Sequence, residues 1–332
     1  MTGNGRGRRT VTTSDLLKIL GFYGRFTPSY SRIGYHARRL RWSRLAPDFS
    51  GQRWLVTGAS GGIGASIAAS AARHGAEVTT VARSMDRLEA SRGAAGEAAV
   101  RIHGRRCDLA TVAGIDGLLD ALRADGAPFD VLVNNVGVLL NTLSVTDEGF
   151  ETSYVTNILG HYQLTEGLFH AGLLAGNALI VNMASGGLYN VPLNTRLLNV
   201  TDPQRYGGKA AYATHKRAQV ALSGLWHQRL VDAGGASYVM HPGWARTEGV
   251  RQSLPVFYRL QGALLRSPAE GADTALWLAA TRPDDAGEAI WFDRAVRPQH
   301  MFPHTREPQC SVQDVVAQLQ RDLSAARGTQ GA

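Results

Sequence analysis

The chain has 332 residues, of which 44% are apolar, so it is long enough to bury a large core in one or two domains. Its two cysteines exclude a disulfide framework, leave no pattern for a metal site, and favour a reducing compartment such as the cytoplasm. The formal net charge of +8 comes from residues 1–50, where ten basic residues face two acidic ones (10 − 2 = 8), so the rest of the chain is neutral overall.

Residues 1–50 form a basic N-terminal extension. Its arginines alternate with apolar residues such as Leu16, Ile19 and Phe22, a pattern that can bind an anionic membrane surface through an amphipathic helix. The alternative is a solvated extension that packs on the domain, and nucleic-acid binding is not expected. No run of about 18 uninterrupted apolar residues occurs, so the sequence predicts a cytoplasmic protein with at most a peripheral membrane contact.

From residue 51 to residue 300, short apolar segments alternate with helical patterns. Helices are predicted at 62–74, 111–124, 148–174, 208–232 and 268–281, and strands at 54–56, 77–82, 100–103, 131–133, 179–181, 238–240 and 289–292. The alternation predicts one Rossmann-type α/β domain, a doubly wound sheet of about seven mainly parallel strands with helices on both faces. Residues 301–332 are predicted as a C-terminal extension with a short helix that begins after Ser311.

A glycine-rich turn follows the first predicted strand and opens a helix, as a phosphate-binding turn requires. Its glycines permit tight turning, and the free amides at the helix start can face a pyrophosphate. The residues expected to contact a dinucleotide here are Thr57, Gly58, Ser60, Gly62, Ile63 and Gly64.

Arg83 stands at the end of the second predicted strand, where an NAD enzyme carries an Asp or Glu on the ribose hydroxyls. A guanidinium at this position fits a 2′-phosphate bidentately. The sequence therefore favours NADP(H), with NAD(H) as the open alternative.

Tyr212 and Lys216 are four residues apart on a predicted helix and share one face. The ammonium is expected to lower the pKa of the phenol, which makes an acid that can protonate a carbonyl oxygen. The chain has only three lysines among its 35 basic residues, which favours a functional role for this one.

With these motifs, residues 51–293 resemble the short-chain dehydrogenase/reductase family, in its single-domain branch, and particularly its retinol-dehydrogenase-like members. The resemblance implies a catalytic tetrad of Asn157, Ser185, Tyr212 and Lys216. The cofactor contacts that it implies beyond the glycine turn are Asp108, Leu109, Asn135, Gly137, Tyr212, Lys216, Pro242, Gly243 and Thr247.

The tetrad also implies a mechanism. Ser185 and Tyr212 would converge on the substrate oxygen, Lys216 would bind the nicotinamide ribose, and Asn157 would anchor a water that links Lys216 to solvent. Nearby His161 and His241 are interpreted as structural, and His215 is expected to point away from Tyr212. The resemblance further implies a homodimer through the helices at 148–174 and 208–232, unless the N-terminal extension obstructs that contact.

Two apolar segments are expected near the substrate, a long loop at 186–211 and a lid at 254–265. They predict a bulky apolar carbonyl or alcohol, although the same side chains could simply pack the loops. The sequence as a whole predicts an NADP(H)-dependent oxidoreductase that interconverts a carbonyl and an alcohol. The alternatives are a cofactor-binding regulator or scaffold on the same fold, and a peripheral membrane module with ancillary activity.

Overall fold

The computed structural model describes residues 26–329, so the apolar pattern predicted at Leu16, Ile19 and Phe22 lies outside the described residues. We number the strands, and the α-helices of six or more residues, in chain order. The strands are β1 Arg53–Thr57, β2 Glu77–Ala82, β3 Ile102–Arg106, β4 Phe129–Asn134, β5 Leu174–Met183, β6 Ala236–Met240, β7 Ile290–Phe292 and β8 Ala295–Arg297. The helices are α1 Arg32–Arg39, α2 Gly62–Arg73, α3 Met85–Gly93, α4 Val112–Asp125, α5 Gly160–His170, α6 Gly208–Leu230, α7 Glu248–Ser253, α8 Pro255–Gln261, α9 Pro268–Thr281 and α10 Val312–Thr329.

The eight strands of the described chain form one sheet in the order β3-β2-β1-β4-β5-β6-β7-β8. All neighbours are parallel except β7 and β8, which are antiparallel. The predicted doubly wound sheet is confirmed, with one strand more than expected. The additional strand follows a two-residue turn at Asp293 and Arg294, whose φ angles of 52° and 55° are left-handed, as in a type I′ hairpin.

The sheet is buried on both faces. Leu55, Leu132 and Ile180 point to the side covered by α4, α5, α6 and α10. Trp54 and Val56, which alternate with Leu55 along β1, point to the side covered by α2 and α9. This two-sided burial explains why the strands are almost continuously apolar.

The region predicted as one helix at 148–174 differs most from expectation. A helical turn at Thr152–Tyr154 leads into a π-helical segment, Val155–Leu159, before α5 begins. Soon after α5, Gly172 takes a left-handed φ of 64°, and β5 starts at Leu174. The predicted helix was therefore too long at both ends.

The described part of the N-terminal extension packs on the domain. The Tyr30 carbonyl accepts a 2.9 Å hydrogen bond from the Trp244 amide. Arg38 donates to Asp293 at 2.9 Å, and the same carboxylate binds the buried Arg266 bidentately at 2.6 and 2.8 Å. These bonds join the extension to the turn after β6 and to the β7–β8 hairpin.

The predicted C-terminal helix is present as α10. Its Val315 and Leu319 are buried in the main core, and Asp322 accepts a 2.6 Å hydrogen bond from the Tyr154 hydroxyl. Within residues 26–329, no helix combines the length and the apolar character needed to cross a bilayer. The same part of the chain holds no cluster of three His, Cys, Asp or Glu side chains suited to a metal ion.

Candidate active site

The predicted site residues lie at the carboxyl ends of the parallel strands, on both sides of the central pair β1 and β4. These strands are neighbours at the centre of the sheet, and the chain progresses outward in opposite directions from them. Such a switch point opens a crevice for ligands in doubly wound sheets. The glycine turn follows β1, and Asn135 to Gly137 follow β4.

The glycine turn is shaped by close backbone packing. Gly58 has a φ of 68°, and a Cβ on it would lie 2.9 Å from the Cα of Val136. A Cβ on Gly64 would lie 2.6 Å from the Gly58 carbonyl oxygen. Asn135 donates from Nδ2 to the Thr57 carbonyl at 2.7 Å and so fixes the turn against the end of β4. Glycine is therefore required at both positions.

The turn after β6 meets the glycine turn from the other side. A Cβ on Gly62, whose φ is 59°, would lie 3.2 Å from the Thr247 side chain. Gly243 is also left-handed, and a Cβ there would collide with the Arg266 guanidinium at 2.5 Å. The residue between Pro242 and Trp244 must therefore be glycine. The small residues and the amides at the start of α2 leave a cradle that fits a dinucleotide.

The other predicted cofactor residues lie around this cradle with different exposures. Arg83 is exposed directly after β2, and Ser60 is half-buried in the glycine turn. Asp108 accepts a 3.0 Å hydrogen bond from the Ala110 amide. Leu109 is buried in the core, and the half-buried Ile63 packs toward Gly271 of α9.

Ser185 and Tyr212 meet as predicted. The Ser185 side chain approaches the Tyr212 phenol closely enough to lower its pKa, but burial has the larger effect and raises that pKa above its usual value. The expected lowering by Lys216 is therefore not the dominant influence. The Lys216 ammonium lies 5.7 Å from the centre of the Tyr212 ring.

Lys216 is buried, and its burial lowers the pKa of the ammonium to about 7. Its Nζ donates to the Met183 carbonyl at 2.7 Å and to Oε1 of Gln219 at 3.1 Å. A Cβ on Gly137 would lie 3.3 Å from this Nζ and 3.4 Å from Oδ1 of Asn157. Gly137 thus lets two tetrad residues approach the strand end.

Asn157 lies in the π-helical segment, a type of backbone that is frequent at functional sites. Its Oδ1 accepts from the Val138 amide at 2.7 Å, and its Nδ2 donates to the Val138 carbonyl at 2.8 Å. The side chain therefore fixes the segment that follows Gly137.

Two neighbours of the tetrad make contacts that the sequence analysis did not anticipate: Gln219, which it did not single out, and His215, which it expected only to point away from Tyr212. Gln219 donates from Nε2 to the Asn157 carbonyl at 2.7 Å, besides accepting from Lys216. His215 accepts a 3.2 Å hydrogen bond at Nδ1 from Asn157, because its Nε2 donates to the Leu198 carbonyl at 2.7 Å. The helical spacing of Gln219, three residues after Lys216, was the signal that could have identified it.

The other two histidines have structural surroundings. His161 lies 2.8 Å from Gln219 Nε2, and His241 accepts from the Gly243 amide at 2.8 Å. Burial lowers the pKa of each to about 3, so both are neutral at neutral pH. Neither is poised to exchange protons.

The long loop between Ser185 and Tyr212 is only partly available to a substrate. Leu188 and Leu198 are completely buried in the core, so they pack the loop. The end of α7, directly before the lid, is tied to the segment after Gly137, because the Ser253 hydroxyl donates to the Leu139 carbonyl at 2.7 Å.

Comparisons with known proteins agree with this arrangement. A sequence profile of the short chain dehydrogenase family matches residues 52–195. The human protein named dehydrogenase/reductase SDR family member 12 is 36% identical over 271 residues, covering 80% of this chain and 84% of that protein. Human retinol dehydrogenase 12 is 31% identical over 245 residues, covering 71% of this chain and 75% of that protein.

A solved structure shares the fold. It is a variant of actinorhodin polyketide ketoreductase determined with NADPH, 27% identical, with a TM-score of 0.58, covering 74% of this chain and 96% of that one. The chain thus belongs to the short-chain dehydrogenase/reductase family, and it is an oxidoreductase of the class that acts on CH–OH groups with a nicotinamide cofactor.

Proposed function

We propose that the protein is an NADP(H)-dependent oxidoreductase that interconverts a carbonyl and an alcohol on a lipophilic small molecule. The observation that carries this proposal is the approach of the Ser185 side chain to the phenol of Tyr212, which lies one turn before Lys216 on α6. Two hydroxyl groups at one point can bind one substrate oxygen.

Ser185 and Tyr212 have different roles at the substrate oxygen. Bound nicotinamide supplies or accepts the hydride. Ser185 donates a hydrogen bond to the oxygen as negative charge develops, and Tyr212 delivers the proton. Because burial raises the pKa of Tyr212, the phenol is protonated at neutral pH and is ready to act as an acid. In the reverse direction, the same groups remove the alcohol proton.

The preference for NADP(H) rests on two arginines beside the cradle. Arg83 is exposed after β2, and the Arg87 guanidinium lies 3.7 Å from the Cβ position of Gly61. Arg87 also lies near enough to Glu248 to help lower the pKa of that carboxyl. Together Arg83 and Arg87 form a basic corner suited to a 2′-phosphate.

The lipophilic substrate is proposed from the apolar rim of the crevice. Leu139 and Leu140 are half-buried between the lid and the long loop, because Tyr206 of that loop donates to the Leu140 carbonyl at 2.9 Å. Leu197 of the loop and Leu254 of the lid are half-buried as well. These four half-buried leucines would offer apolar surface to a substrate.

Turnover of NADPH with a panel of aldehydes and ketones of increasing apolar size tests the function. We expect carbonyl-dependent oxidation of NADPH, with kcat/KM rising with apolar size. Ser185→Ala should lower kcat about 100-fold through loss of the oxyanion donor. Ser324→Ala, a surface change on α10, is the matched control. Tight NADPH binding without turnover of any carbonyl or alcohol would instead favour the cofactor-binding regulator.

A peripheral membrane contact is a second proposal, supported by the outward face of α1. Ile33 and Leu40, seven residues apart on one face, are 52% and 89% exposed, and Arg32, Arg39 and Arg41 are exposed beside them. Ile33→Asp combined with Leu40→Asp should reduce sedimentation with phosphatidylserine liposomes, whereas Val100→Asp, at a 76% exposed residue, should not. Equal sedimentation of the three proteins would exclude α1 as a membrane contact.

A further inference from the structure

Gln219 connects two members of the tetrad through one buried amide. Its Oε1 accepts from Lys216 Nζ at 3.1 Å, and its Nε2 donates to the Asn157 carbonyl at 2.7 Å. Nε2 also lies 2.8 Å from Nδ1 of His161. The side chain is almost completely buried on α6, one turn beyond Lys216.

The orientation of this amide follows from its partners. A flipped Gln219 would direct its NH₂ group at the Lys216 ammonium and its oxygen at the Asn157 carbonyl, so that both contacts would become repulsive. The observed orientation satisfies every polar atom of the amide. A buried amide with all its hydrogen bonds formed is held rigidly.

Gln219 joins Lys216 directly to Asn157, the residue that the family resemblance linked to Lys216 through a water. Its Oε1 accepts from the ammonium, and its Nε2 binds the Asn157 carbonyl. Lys216 is consequently held from two sides, by the end of β5 through Met183 and by the next turn of α6 through Gln219. An ammonium has three N–H groups, so one remains for a ligand at the Gly137 side.

We propose that Gln219 is a positioning residue of the reaction, which fixes the Lys216 ammonium beside Gly137 and joins it directly to Asn157. This inference rests on the proposed function, because the position of Lys216 matters for binding the nicotinamide ribose and for assisting Tyr212. A side chain that merely filled the core would not affect the charge on Lys216.

Lysine side-chain NMR on the protein without cofactor gives a test that does not need turnover. The chain has three lysines, Lys18, Lys209 and Lys216, so the buried one can be assigned by substitution. The other titratable groups facing it are Tyr212 and His215 on α6 and His161 on α5, and burial keeps both histidines neutral by lowering the pKa of His215 to about 4 and of His161 to about 3. The native midpoint is expected near pH 7.

Two substitutions should move this midpoint in opposite directions. Gln219→Met removes the acceptor of the ammonium and should lower the midpoint, while Gln219→Glu places a carboxylate there and should raise it. Gln163→Met is the matched control, because Gln163 is a buried glutamine that donates to the Val112 carbonyl at 2.9 Å, away from Lys216. The Lys216 midpoint in Gln163→Met should equal the native value.

Kinetics give the second readout. Gln219→Met should lower kcat and weaken NADPH binding about 10-fold, as expected when a catalytic group is displaced slightly, and Gln163→Met should affect neither. An unchanged Lys216 midpoint in both Gln219 variants would overturn the proposal, and Gln219→Glu decides if the Met variant does not fold. A native protein without turnover but with the predicted NMR shifts would contradict the proposed function alone.

Discussion

At the scale of single residues, burial governs the proton chemistry of α6. It raises the pKa of Tyr212 and lowers that of Lys216 to about 7. Both shifts have the same physical cause, because a low-dielectric surrounding disfavours whichever form carries charge. Tyr212 is thereby kept as a neutral acid. The charge on Lys216 depends on the pH and on the hydrogen bonds that its ammonium donates.

Arg83 should decide the choice of cofactor. Arg83→Asp removes the proposed partner of the 2′-phosphate and places a carboxylate where ribose hydroxyls would bind, so KM for NADPH should rise about 10- to 100-fold and KM for NADH should fall. Steady-state kinetics with both cofactors measure the change. Arg92→Ala, at a surface arginine paired with Glu89 on α3, is the control and should leave both KM values unchanged. If the ratio of KM for NADPH to KM for NADH is the same in Arg83→Asp as in the native protein, Arg83 is only a surface residue.

Much of the candidate site could be predicted at this scale. Tyr212 and Lys216 follow from a helical spacing, and Gly58 and Gly64 follow from their place between a strand and a helix. Helical spacing could have placed Gln219 beside Lys216, but its hydrogen bond to the Asn157 carbonyl joins residues that are far apart in sequence and could not be recognised. The prediction that the pKa of Tyr212 is lowered was wrong for a similar reason, since the extent of burial is a tertiary property.

At the scale of elements, local pattern was sufficient for many regular segments, although the regular helix α3 was not predicted. The helix predicted at 268–281 is α9, and the strand predicted at 77–82 is β2. Prediction from local pattern was wrong where the backbone is irregular, as in the π-helical segment Val155–Leu159. It failed again at β8, because Asp293 and Arg294 form the hairpin turn without the Asn-Gly or Asp-Gly signature. The buried Arg266 holds Asp293 in that turn from a distant part of the chain.

At the scale of the whole molecule, both ends of the described chain are integrated into the domain. The N-terminal extension is held by Arg38 and Asp293, and α10 covers the side of the domain on which Tyr154 lies. A homodimer through the region of α5 and α6 stays a prediction, and α10 rather than the extension borders that face. Arg327 of α10 reinforces the packing through a 2.7 Å ion pair with Asp116 of α4.

Acid should destabilise the folded protein through its neutral histidines. Burial lowers the pKa of His161 and His241 to about 3 and of His215 to about 4, from 6.5. Below pH 6.5 the unfolded chain takes up protons that the folded chain excludes, so stability present at pH 7 is lost progressively as the pH falls toward 4. By pH 5.5 the loss should reach about 4 kcal/mol in all, at about 1.4 kcal/mol per histidine.

Urea unfolding at pH 7 and pH 5.5 measures this loss directly. His241→Phe should reduce the difference between the two pH values by about a third, because it removes one of three equivalent proton sites. Equal free energies of unfolding at the two pH values would mean that these histidines do not stay neutral in the folded state.

The central claim is that Tyr212 is the acid acting on a carbonyl that Ser185 also holds. The most direct test is Tyr212→Phe, assayed for NADPH oxidation with the best carbonyl and for NADPH affinity by fluorescence in the same preparation. The account predicts that kcat falls about 100- to 10,000-fold while NADPH affinity is retained, with Tyr162→Phe on α5 behaving like the native protein. Turnover at the native rate in Tyr212→Phe would contradict the account.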